Sequence, residues 1–197
     1  MNLIDRISHQ FEDNMRASLE ALELLAAPIA GAVELIIASL LDNGKVLVCG
    51  ASGSAGDASR FAAQLVNGFE LERPALAAMA LSADASTLAP AGAALDPKDL
   101  FARQIAAFGH PGDILVTLSA QPDAACVLGA ITAAHERDMR VIALTGADGG
   151  NIAEALGPAD ILLCPPTDRR ARIQELHLLI LHCLCDGIDC LLLGVED

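Results

Sequence analysis

The stretch Val46-Leu47-Val48-Cys49-Gly50-Ala51-Ser52-Gly53-Ser54-Ala55-Gly56-Asp57 constrains this chain more than any other. An apolar run halts at a glycine. A turn of small residues with two serines follows, and a helical pattern opens behind it. Strand, tight turn and helix in that order begin a parallel α/β unit. Such a turn leaves backbone N–H groups and hydroxyls at a helix N-terminus, where an anion is favoured. The glycines Gly50, Gly53 and Gly56 are spaced GxxGxxG rather than GxGxxG, and no P-loop lysine follows. That spacing argues against dinucleotide and nucleoside-triphosphate sites.

The rest of the chain continues the alternation. Strands are expected over 45–49, 76–81, 113–118, 140–144 and 160–164, and helices over 54–68, 97–108, 123–137, 150–156 and 170–193. Strands that are apolar throughout belong to a parallel sheet covered on both faces. The expected fold is therefore one doubly wound, flavodoxin-like α/β domain with a five-stranded parallel sheet. Ligands in such folds bind beyond the carboxyl ends of the strands, where the loops Gly50–Ser54 and Ser119–Asp123 fall.

Ahead of the first strand, Ile4, Ile7, Phe11, Met15, Leu19, Leu22 and Leu25 recur at three- and four-residue steps and make one helical stripe. Pro28 is expected to end that helix, and a second one to run to Asn43-Gly44. Residues 1–44 thus read as an N-terminal helical oligomerisation segment before the domain at 45–197. The stripe has no sheet of its own to cover; it either docks on another subunit or packs back on its own domain.

With 53% hydrophobic residues but only 3% aromatic ones, the core has to be aliphatic. The net charge of −14, from 26 acids against 12 bases, opposes direct nucleic-acid or anionic-membrane binding through a basic surface. Six cysteines form no CxxC pair and no zinc-spaced set with histidine, which fits free thiols in a reducing cytoplasm. The N-terminus lacks a signal-peptide pattern, and no apolar run reaches spanning length without a charge or a glycine.

Several stretches together resemble the SIS (sugar isomerase) domain family. They are Cys49 to Ala58, Phe69-Glu70-Leu71-Glu72-Arg73-Pro74, Phe101 to Ile105, Pro111 to Leu115, Ala143 to Gly150, Ala171 to His177 and Cys183 to Asp189. The match is closest to the family's phosphoheptose isomerase branch and to the related DnaA initiator-associating protein. The resemblance implies a homotetramer built partly by the terminal helices and a sugar phosphate bound between subunits. It places ligand contacts at Ser52, Gly53, Ser54, Ser119 and Gln174, with Asp84, Ser86 and Thr87 lining the sugar.

The same resemblance exposes departures. The family's Asn-Gly-Gly-Ser turn reads Ala51-Ser52-Gly53-Ser54, and its Ser/Thr-rich second loop reads Ser119-Ala120-Gln121-Pro122-Asp123-Ala124. A family Asn-Asp pair matches Ala93-Ala94. Of the two catalytic positions, the last-helix histidine is kept as His182, but the glutamate base is Gln64. An amide cannot take up and return a proton at neutral pH. The zinc ligands of some members match Arg60, Gln64, Gln174 and His182, so no metal or other cofactor is expected; Arg60 would offer fixed positive charge there.

Read without the family, Ser52-Gly53-Ser54 is a tight turn, and His177 and His182 are hydrogen-bonded core or interface histidines. Asp168-Arg169-Arg170 with Arg172 is then a solvated helix start; within the family it would be a phosphate clamp across a subunit boundary. Leu191-Leu192-Leu193 either finishes a core helix or offers an apolar contact surface. These departures point to a non-catalytic sugar-phosphate sensor or adaptor. The alternative is an active sedoheptulose 7-phosphate isomerase of lipopolysaccharide heptose synthesis. A further alternative is a replication-initiator-binding protein with a vestigial site.

Overall fold

The computed structural model describes residues 2–81 and 96–194. Five parallel strands form one sheet: β1 (Val46–Gly50), β2 (Ala78–Ala80), β3 (Ile114–Leu118), β4 (Arg140–Leu144) and β5 (Ile161–Leu163). Their order is β2-β1-β3-β4-β5, the expected flavodoxin-like arrangement. The helices are α1 (Leu3–Leu41), α2 (Ser54–Asn67), α3 (Asp99–Phe108), α4 (Ala125–His135), α5 (Gly150–Ala155) and α6 (Arg170–Leu193). Gly50, Leu118 and Leu144 sit in register on β1, β3 and β4, so the loops behind them leave the sheet side by side.

Alternate strand residues feed two cores. Val46, Val48, Ile114 and Val116 pack under α1, α2 and α6, while Leu47, Cys49, Leu115 and Val141 pack under α3, α4 and α5. This two-sided burial explains why the strands read as unbroken apolar runs.

The N-terminal segment departs from expectation. A single helix runs through Pro28 rather than two helices meeting there. Proline removes one intrahelical hydrogen bond, but the buried face continues on both sides of it through Ala21, Leu25, Ala32, Val33 and Ile36. Continuous packing outweighs the local break. A capping box of Asn2 and Asp5 starts the helix. Of the expected stripe only Leu25 is buried; Ile4, Ile7, Phe11, Met15, Leu19 and Leu22 are all at least half exposed. Within one chain the stripe does not pack back. By length and composition alone α1 and α6 could each cross a membrane, yet both lay a buried face on this sheet.

Two buried polar contacts fix α6. Arg73 and Asp189, with side chains 1% and 3% exposed, form an ion pair. The Arg73 guanidinium also donates to the carbonyls of Leu65 at 2.7 Å and Gln64 at 2.9 Å, closing the end of α2. His177 lies wholly within the fold, its Nε2 2.9 Å from the carbonyl of Thr145 at the end of β4.

Removing one partner of a buried pair leaves an uncompensated charge. Arg73→Met is expected to lower unfolding free energy by about 3–5 kcal/mol, and Arg73→Met with Asp189→Leu to recover most of that, read by urea denaturation. For His177, burial holds the imidazole pKa below its ordinary value, partly offset by the Thr145 carbonyl and the Asp57 carboxylate. The unfolded chain therefore takes up a proton near pH 6.5 that the folded chain refuses, and stability falls as pH drops from there. The loss is at most about 1.4 kcal/mol per pH unit. His177→Gln should remove that share of the difference between denaturation curves at pH 7 and pH 5.

Candidate functional site

The loop after β1 is shaped by close approach. A Cβ on Gly50 would lie 2.2 Å from the Ser54 carbonyl oxygen, so the chain can fold back into α2 only with glycine there. Ser52 adopts a left-handed φ of 52°, and Gly53 follows in the right-handed region. Successive N–H groups in such a pair converge into an anion-binding concavity. Ser54 N–H donates to Ala51 and Ala55 N–H to Ser52, whereas the N–H groups of Ser52 and Gly53 meet no acceptor among the described residues. Ser54 is buried at the first position of the helix.

The second loop is more closed. Ser119 Oγ donates to the Gln121 carbonyl at 2.7 Å and accepts from the Gln121 N–H at 3.1 Å. Its hydroxyl proton is thus spent on the turn. Pro122 lies against Gly150, and its carbonyl accepts from the Ile152 N–H at 2.9 Å, tying the loop to α5. The residues that replace the family's serines serve the packing of this loop.

Helices α2 and α6 lie side by side, and their facing residues make a seam below the first loop. Gln174 Nε2 is 3.0 Å from where a Cβ of Gly53 would stand. Asp57 acts electrostatically on His177 one turn down. A further two turns down, Cys185 Sγ donates to Gln64 Oε1 at 3.8 Å. Burial pushes the Cys185 thiol up to about 12, so it remains a donor. Residues 53, 57, 60 and 64 share one helical face, which puts the exposed Arg60 on this seam as well. His182, half-buried on α6, stacks on Phe69 with ring centroids 5.2 Å apart and planes 30° apart. Neither of its ring nitrogens has a hydrogen-bond partner among the described residues. His177 Nδ1 is buried and also unpartnered.

Ser52, Gly53, Ser54, Gln174 and Gln64 are therefore gathered along the first loop and the seam, with Ser119 across the carboxyl edge, and His182 stands on α6 against Phe69, just past the end of α2. Asp84, Ser86, Thr87 and Ala93-Ala94 lie outside the described residues. Of the arginines at the start of α6, Arg169 pairs with Asp13 and bonds Gln10, and Arg172 bonds the Gln10 carbonyl and Glu175. Both are committed to α1. His177 fits the hydrogen-bonded core reading; His182 makes no hydrogen bond among the described residues and stacks on Phe69. Phe69, Arg73 and Cys185 lie in stretches that carry the family resemblance, but nothing in the sequence showed that they meet His182, Asp189 and Gln64.

The donor set Arg60, Gln64, Gln174 and His182 does not fit zinc. A guanidinium does not ligate metal, and one imidazole with two amides is a poor set for it. Among the described residues no group of three or more His, Cys, Asp or Glu side chains could hold a metal ion.

Known proteins share this architecture along their whole length. The model of the SIS domain matches residues 10–146. A protein of Aromatoleum aromaticum named phosphoheptose isomerase is 62% identical over 197 residues, covering 100% of both chains. The solved phosphoheptose isomerase of Neisseria gonorrhoeae superposes with a TM-score of 0.90 at 44% identity, covering 95% of this chain and 99% of that one. That of Francisella tularensis gives 0.92 at 41% identity, covering 96% and 99%. With this sheet order, this first loop and this extent of likeness, the chain belongs to the SIS domain family.

Proposed function

We propose that the chain is a cytoplasmic sugar-phosphate isomerase of the phosphoheptose isomerase type, interconverting sedoheptulose 7-phosphate and an aldoheptose 7-phosphate. What carries this reading is likeness over the full chain: the named relative at 62% identity leaves no segment unmatched. It takes precedence over the sensor reading drawn from the departures alone.

The seam suits a phosphorylated sugar lying from the first loop toward His182. The phosphate meets the N–H groups of Ser52 and Gly53, which have no acceptor among the described residues, and the Ser54 hydroxyl, at the positive end of α2. The ligand's oxygens face Gln174, Gln64 and Arg60, donors that hold developing charge on an enediolate. Isomerisation removes a proton from C1, returns one to C2, and moves a hydroxyl proton from O1 to O2; nothing is oxidised or reduced overall. Gln64 cannot carry that proton. His182 can, because imidazole exchanges protons near neutral pH. A single base on one face of the enediolate serves both transfers.

The assembly belongs to the same proposal. An apolar groove of about 560 Å³ between α1 and α6 includes Leu22, Leu25, Ile29, Leu179 and Leu191 in its walls and adjoins the exposed α1 stripe. Burying both in a homotetramer accounts for α1 as an oligomerisation segment.

One observation favours a second reading, binding without turnover. The position of the family's carboxylate base holds an amide fixed by a thiol. Purified protein with sedoheptulose 7-phosphate, followed by NMR, separates the two. Aldoheptose signals that disappear in His182→Gln support the isomerase. Ligand line-broadening without product leaves a binding protein. With neither, the search moves to protein partners, a replication initiator among them, through the exposed Leu191 and Leu193. Gln64→Glu is expected to raise turnover by about 10²-fold or more, the scale of a general base.

A further inference from the structure

We propose that Phe69 is the positioning residue of His182. Its ring is the wall against which the imidazole is held toward the seam, and residues 68–74 form a strap that holds the wall in place. This rests on reading the α2–α6 seam as the sugar-phosphate site.

Three features carry it. His182 has no hydrogen-bond partner among the described residues, and among them its one aromatic contact is the stack on Phe69. Acid–base histidines are ordinarily oriented through their second nitrogen; here that nitrogen has no partner among the described residues, and a ring face does the orienting. An aromatic contact of this kind shifts a rotamer population by about 3- to 10-fold.

The wall itself is fixed. Phe69, partly buried, also packs against the core cluster beneath α2 and α6. Gly68 ends α2 with a φ of 95°, and a Cβ there would lie 3.0 Å from the Leu71 carbonyl oxygen. That left-handed turn throws Phe69 across to α6 instead of continuing along α2. Four residues later Arg73 returns under α2, bonds the Gln64 and Leu65 carbonyls and pairs with Asp189. The strap therefore grips α6 at two points: Phe69 meets His182, and Arg73 meets Asp189 about two turns further along. The same guanidinium holds the carbonyl of Gln64, so the strap sets the spacing between the two side chains at the reacting end of the seam.

The test uses the full chain with Phe69→Leu and Phe69→Tyr, histidine-selective NMR and steady-state kinetics; His182→Gln assigns the His182 signals. In the parent protein and Phe69→Tyr, the His182 ring protons should lie upfield of an unstacked histidine. In Phe69→Leu they should move to the ordinary position, and kcat should fall about 10-fold or more with KM within about 3-fold. Phe69→Met serves as the second apolar replacement if Phe69→Leu does not fold. Unchanged His182 signals or unchanged kcat in the apolar variant would overturn the proposal, as would an equal loss in Phe69→Tyr. A parent protein without turnover would sink the isomerase reading alone. The readout then becomes displacement of the His182 signals by sedoheptulose 7-phosphate, expected in the parent and Phe69→Tyr and diminished in the apolar variant. No displacement in the parent would overturn both.

Discussion

The buried contact between Arg73 and Asp189 is the constraint on which the rest of the site depends. A charge pair with both side chains almost fully enclosed is not a generous source of stability, because both ions lose their water. What it supplies is register. The guanidinium satisfies carbonyls at the end of α2 while its partner stands on α6, so one side chain determines how far α6 may slide along α2. The contacts along the seam, Gly53 with Gln174, Asp57 with His177 and Gln64 with Cys185, all presuppose that register. A slide of one helical turn, about 5.4 Å, would break each of them.

The architecture was legible in the sequence because its signals are local. Continuous apolar strands, the glycine that ends β1 and the long 3.6-period runs each follow from a few neighbouring residues. Pro28 misled because its cost is local while its compensation is not: Leu25 before it and Ala32 after it are buried in the core that α1 shares with β5 and α6, more than a hundred residues away in sequence. The edge strand β2 is shorter than the apolar run around it, since pairing to β1 alone supports only Ala78–Ala80. The proposed site was half legible. Ser52, Gly53 and Ser54 could be found from chain geometry, and Gln64, Gln174 and His182 from family resemblance. The ring of Phe69 and the pair of Arg73 with Asp189 could not, because the partners are 113 and 116 residues apart and nothing in the composition of either segment names the other.

The N-terminal helix shows how one element can serve two requirements. Its second half is an ordinary core helix over the sheet. In its first half the apolar stripe and the polar contacts lie on different faces. Asp13, buried between Arg16 and Arg169, and Gln10 with Arg172 tie the polar face to the start of α6, which leaves Ile7, Phe11 and Met15 directed away from the chain's own core. A helical segment anchored within the chain by polar contacts and two small alanines, Ala17 and Ala21, and whose large apolar residues look outward, is organised to meet another surface.

The chemistry of the seam turns on a change of charge at one position. A carboxylate at residue 64 would add a negative charge to a chain already at −14, beside the place where an anionic ligand is proposed to lie. The amide removes that repulsion, and the Cys185 thiol turns its oxygen toward α6, leaving its N–H groups for the ligand. Arg60, one turn earlier on the same face, adds the opposite sign. The seam is thereby better suited to holding an anion than a carboxylate-bearing one would be, and in the proposed reaction proton transfer falls to one imidazole. In the proposed isomerase the rate that imidazole achieves is set by its orientation rather than by a partner base, which is why a histidine with no hydrogen bonds among the described residues, held by a ring on a charge-clipped strap, is the side chain whose freedom matters most.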